Sequence, residues 1–202
     1  MKKVVSAMVF LLAVYGYLYS QAGEQVYIVG TDGNDAVYWL NGRRNVLPKT
    51  GDSAIGNAIA VSGSNVYIAG SDGDWNEGDA VYWLNGQRNV LPNGAGATAI
   101  AVSGSNVYIT GYGIDEEKNI SMEAVYWKNN QITVLPKERA NINAIPRAIT
   151  VTETNVYITG YEYDSGDNDE TRYEAVYWIN GQRNILPQNG RYANAEAIAV
   201  TN

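Results

Sequence analysis

With 202 residues, the chain is sized for one domain, and its composition narrows the chemistry open to it. It has no cysteine and no histidine, which removes a disulfide framework, thiolate chemistry, and the commonest general base and transition-metal ligand. Twenty-one acidic residues against 14 basic ones give a net charge of −7, which disfavours nucleic acid and anionic membrane surfaces.

The first 22 residues read as an export signal. Lys2 and Lys3 make a basic start, Val4–Leu18 is an apolar run, and Ser20 and Ala22 are the small residues of a cleavage site. The run falls short of the roughly 20 residues a membrane-spanning helix needs. Cleavage after Ala22 is expected, leaving residues 23–202 as one domain, secreted, periplasmic or at the cell surface, with no stable membrane insertion. An uncleaved N-terminal anchor is the alternative.

From residue 25 onward the chain is a repeat. Ala-Val-Tyr-Trp recurs at Ala36, Ala80, Ala124 and Ala175, spacings of 44, 44 and 51 residues. Seven residues after each tryptophan comes Val-Leu-Pro or Ile-Leu-Pro, ending at Pro48, Pro92, Pro136 and Pro187. Each unit reads as four short strands, A to D, which is the period and content of a β-propeller blade. Strand A is Ala-Ile-Ala-Val or its like (Ala58, Ala99, Ala148), and strand B is Val-Tyr-Ile ending in Gly30, Gly70, Gly111 or Gly160. Strand C is Ala-Val-Tyr-Trp, and strand D runs to the proline, whose missing N–H ends the ladder. Asn41-Gly42, Asn85-Gly86, Asn129-Asn130 and Asn180-Gly181 suit type I′ turns between C and D. The first unit lacks strand A, and a surplus copy, Ala197–Val200, stands near the C-terminus. The expected fold is therefore all-β: a four-bladed β-propeller, with the C-terminal strand completing the first blade.

Strands alternate in direction, so B–C and D–A loops emerge on one face, and A–B and C–D turns on the other. The B–C loops lengthen along the chain, from 31–35 to 71–79, 112–123 and 161–174. One face is trimmed and the other variable, and function tends to sit on such loops.

Strand A, a small turn, strand B ending in glycine (Tyr67-Ile68-Ala69-Gly70) and a hairpin with an aromatic pair (Tyr82-Trp83) resemble the units of kelch-like β-propeller repeat proteins. The similarity is greater to exported bacterial proteins built from "VYI.G…AVYW.NG…LP" units, and it covers residues 25–202. Kelch units usually carry paired glycines after strand B, where this chain has one. The resemblance implies a propeller and is nearly silent on activity.

The variable face concentrates acids: 16 of the 21 fall in the B–C loops. Crowded carboxylates predict a negative field suited to a cation or a basic partner. Asp72, Asp74 and Asn76 alternate as oxygen ligands of a calcium loop do, and Asp164, Asp167 and Asp169 form a looser version. Calcium is the one cofactor the sequence suggests. Trp75, Tyr112, Tyr161, Tyr163, Tyr173 and Tyr192, with Asp79, Glu123 and Glu174, make the expected ligand-binding face. Arg44-Asn45, Arg88-Asn89 and Arg183-Asn184 recur on strand D and are expected to bridge adjacent blades. No buried carboxylate pair or nucleophile with a base stands out. The expected function is a secreted, non-catalytic binding module for a protein or glycan at the cell surface. A carbohydrate-binding lectin is the first alternative and a glycoside hydrolase the more distant one.

Overall fold

The structure, a computed structural model, describes residues 23–74, 78–114, 122–164 and 171–201. These form four antiparallel sheets, with no helix among the described residues. The first sheet has three strands, β1 (Tyr27–Asp32), β2 (Asp35–Leu40) and β3 (Arg43–Val46). The second has β4 (Ser53–Ser62), β5 (Asn65–Gly73), β6 (Asp79–Leu84) and β7 (Gln87–Val90). The third has β8 (Gly96–Ser103), β9 (Asn106–Ile114), β10 (Met122–Lys128) and β11 (Gln131–Val134). The fourth has β12 (Asn143–Val151), β13 (Val156–Tyr163), β14 (Tyr173–Ile179) and β15 (Gln182–Ile185).

The turns follow their residues. Asn41-Gly42, Asn85-Gly86, Asn129-Asn130 and Asn180-Gly181 all have positive φ at both positions, as type I′ requires. The first asparagine of each turn also accepts a hydrogen bond at 2.9 Å from the backbone N–H of Val26, Val66, Val107 or Val156. Every C–D hairpin is thus tied to the start of its strand B.

The first strands of the last three sheets are longer than the Ala-Ile-Ala-Val signature. In β4, β8 and β12 the pairing continues upstream through a bulge, between Gly56 and Ala58, Ala97 and Ala99, and Pro146 and Ala148. A proline beside a bulge on an edge strand removes no needed donor. Upstream of the bulge, strand A presses on the strand-B glycine. A Cβ added at Gly70, Gly111 or Gly160 would run into the backbone oxygen of Ile55, Gly96 or Ile145.

Sheets stack face to face. Each presents a front of Ile, Val and Trp to the back of the sheet before it, which offers Ala, Tyr and Leu. Ile68, Val81 and Trp83 pack on Ala36 and Leu47; Ile109, Val125 and Trp127 pack on Ala69, Ala80 and Leu91; Ile158, Val176 and Trp178 pack on Tyr108, Ala124 and Leu135. Each of these tryptophans donates its indole N–H to the proline carbonyl that ends the preceding sheet: Trp83 to Pro48 at 2.8 Å, Trp127 to Pro92 and Trp178 to Pro136 at 2.9 Å. The proline that stops one ladder therefore latches the next sheet.

The series is open at its ends. Packing joins first to second, second to third and third to fourth sheet, and among the described residues none comparable joins the strands of the fourth to those of the first. Ile28 is 55% exposed, whereas its counterparts Ile68, Ile109 and Ile158 are 1–2% exposed. Trp39 is half-buried and makes no such indole bond among the described residues. At the other end Leu186 is half-buried, unlike Leu47, Leu91 and Leu135. Residues 197–200, expected as the first sheet's fourth strand, belong to no strand here, and the first sheet stays three-stranded. The reason is spatial, since that free edge and the C-terminal segment lie at opposite ends of the series.

Candidate functional site

The acids of the variable face have partners that the loop sequences do not contain. Arg44 on β3 holds Asp32 at 2.7 Å and Asp35 at 3.7 Å. Arg88 on β7 holds Asp72 and Asp79, and Arg183 on β15 holds Glu162 at 2.6 Å and Glu174 at 3.7 Å. These arginines clamp the two strands flanking their own B–C loop and do not bridge adjacent sheets as expected. Their asparagine neighbours bond locally, Asn45 to Arg43 O, Asn89 to Gln87 O and Asn184 to Gln182 O. Lys49 and Lys137, from the D–A loops, take Asp35 at 3.0 Å and Glu123 at 2.7 Å. Arg139 takes Asp164 at 3.1 Å, and Arg172 takes Glu174 at 2.8 Å. Among the described B–C loop acids only Asp74 has no cationic partner. The described part of the rim is a lattice of ion pairs, not a single-sign field.

Asp72 shows the extreme of this arrangement. Only 2% exposed, it accepts hydrogen bonds from the Thr50 N–H and hydroxyl (3.0–3.1 Å), the Gly51 N–H (3.2 Å) and Arg88. Burial works to raise its carboxyl, but these donors outweigh burial and hold it below the usual carboxylate range. Asp74 Oδ1 accepts from the Asp52 N–H at 3.0 Å. Both oxygens of Asp72 are thus committed to donors within the fold. Asn76, Asp167 and Asp169 lie outside the described residues, as does Trp75.

The expected aromatic face divides. Tyr161, Tyr163, Tyr173 and Tyr192 assemble on the fourth sheet. Tyr163 and Tyr173 are cross-strand partners, stacked with centroids 5.2 Å apart and planes 11° apart. Tyr161 leans on both at 5.6–6.0 Å, and Tyr192, 71% exposed, leans on Tyr173 at 5.5 Å. Burial pushes the Tyr161 and Tyr163 phenols up, so they stay neutral donors at physiological pH. Beside the cluster is a cavity of about 230 Å³ walled by Tyr163, Glu162, Glu174, Asp164, Arg139 and Arg172. Tyr112 instead lines a cleft of about 550 Å³ with Thr31, Asn34, Ser71 and Met122. Thr31, Ser71, Tyr112 and Tyr161 are equivalent positions, each following the strand-B glycine. Three of them, Thr31, Ser71 and Tyr112, line that one cleft.

Asp79 and Glu123 are ion-pair members on this rim, with Arg88 and Lys137. Of the lattice cations, Arg172 lies in a B–C loop and is legible there, whereas Arg44, Arg88, Arg183, Lys49, Lys137 and Arg139 come from outside those loops and were not expected. A signal for them exists. The third repeat replaces the arginine by Ile132 and also lacks the strand-B acid, having Gly113 where the others have Asp32, Asp72 and Glu162. The pair comes and goes together. No protein-family model matches the chain, and no curated protein matches it.

Proposed function

We propose that the chain is an exported, non-catalytic binding module whose loop-bearing face takes a surface glycan, with the tyrosine cluster of the fourth sheet as its centre. On this reading residues 1–22 are removed on export, the four sheets are blades of a β-propeller, and residues 197–200 supply the fourth strand of the first blade. One observation carries the binding role: four tyrosines grouped at a loop end, one largely exposed, beside a polar cavity. Tyrosine offers an apolar ring face for the C–H face of a sugar and a hydroxyl for its edge, at low entropy cost. Arg172 and Glu174 at the cavity wall can serve sugar hydroxyls as donor and acceptor. The acids already spent on arginine and lysine support a role without catalysis.

The test is a glycan array probed with the wild-type chain and with Tyr192→Ala. Because Tyr192 is exposed, its loss should leave melting unchanged while weakening binding about tenfold or more, equivalent to roughly 1.4 kcal/mol or above. No bound glycan, or binding indifferent to Tyr192→Ala, overturns this reading.

A further inference from the structure

We propose that the first sheet is completed by the C-terminal strand of a second copy of this chain, and that two chains close into one ring of eight sheets. The inference rests on the reading of residues 197–200 as the missing fourth strand. It adds where that strand comes from.

The three junctions within the chain are built alike, by the same front-to-back packing and the same tryptophan-to-proline bond. Like junctions turn each sheet through a like angle. Were that angle a quarter turn, the fourth sheet would meet the first and Trp39 would find Pro187. Instead Ile28 stands open and the two end sheets do not pack. The C-terminal segment nevertheless begins as an inner strand should, with the Ala195 N–H on Gly160 O (3.3 Å) and Glu196 on Arg147 of β12 (2.8 Å). It stands where the first strand of a next sheet would begin.

The other end has the matching deficit. Beside Ile59 and Val61 of β4 lies a groove of about 530 Å³, also lined by Gln25 and Tyr27. At the next two junctions that position is filled by alanines of strand A, Ala58 and Ala60, then Ala99 and Ala101. Ala197 and Ala199 of a second copy are the residues of that kind left over. Gly30 points the same way. A Cβ there meets only the Trp39 ring, at 3.3 Å, while its three counterparts are hemmed in by strand-A backbone. The first sheet thus keeps the glycine but lacks the strand that needs it. Two copies give an eighth of a turn per sheet, within the ordinary range of four to eight blades. A head-to-tail contact of this kind must close a ring or grow a filament.

The register follows from Val61 opposite Val66 in the second sheet, which places Val200 opposite Val26. The experiment takes residues 23–202, free of native cysteine, as Val26→Cys and Val200→Cys single variants mixed and oxidised, and as the double variant. The expected results are a sedimentation mass of two chains, a disulfide between the mixed singles, and a doubly linked two-chain product from the double variant. Gly30→Ala should remain folded but sediment as one chain. An internal disulfide in a single-chain double variant overturns the second copy while leaving the fourth-strand reading intact. No disulfide in either arrangement overturns both. A mass of three or more chains, or filaments, overturns the two-chain ring.

Discussion

Trp127→Ala is expected to cost about 3–5 kcal/mol, as large-to-small changes of buried aromatics do. Trp127 is fully buried between the second and third sheets, and its indole N–H occupies the Pro92 carbonyl. Removing it opens a void at a junction and takes the donor from the Pro92 carbonyl. For a domain of this size each kcal/mol is worth roughly 2–4 °C, so the melting temperature should fall by roughly 6–20 °C. Against a total stability of about 5–15 kcal/mol, part of the series should come apart. Trp39→Ala, at the open end, should hardly move melting measured at high dilution. Equal losses for the two would mean that the fourth junction is made within the chain.

Asp72→Asn should cost roughly 3 kcal/mol, the scale of breaking a buried ion pair by removing one partner. The amide would turn a donor toward four donors on Thr50, Gly51 and Arg88, releasing the 50–51 loop and leaving Arg88 with Asp79 alone. The pH dependence has a definite sign. The Asp72 carboxyl is held below its unfolded value of about 3.9, so its contribution is present above that pH and lost as pH falls through the folded value. Urea unfolding followed from pH 6 to pH 2 should show the wild type losing stability below about pH 4. The Asp72→Asn curve should be flatter over the same interval. Parallel curves would mean that Asp72 is not the group responsible.

Much of this was legible in the residues. Asn-Gly pairs, prolines at strand ends and Val-Tyr-Ile strands apolar on both sides state the hairpins and the stacking, because each acts locally. The upstream halves of β4 and β12 were not legible. Gly56 and Pro146 read as breakers, and a bulge shifts the two-residue period that marks a strand. The ion-pair lattice was hidden for another reason. Asp32 and Arg44, Asp72 and Arg88, and Glu162 and Arg183 lie 12, 16 and 21 residues apart and meet only through the register of two hairpins. Register also brings Tyr163 to Tyr173. Counting strands reveals a vacancy in the first sheet, but the turn per sheet, which decides who fills it, depends on side-chain shape at the junctions.

Amide hydrogen exchange, followed by mass spectrometry across a concentration series, tests the central claim most directly. Strands 65–70, 106–111 and 156–160 should exchange slowly at every concentration, since each is paired on both sides. Residues 26–30 should exchange fast at high dilution and gain protection as concentration rises and a second copy fills the edge. Protection of 26–30 that is already complete at high dilution, or absent at every concentration, would contradict it.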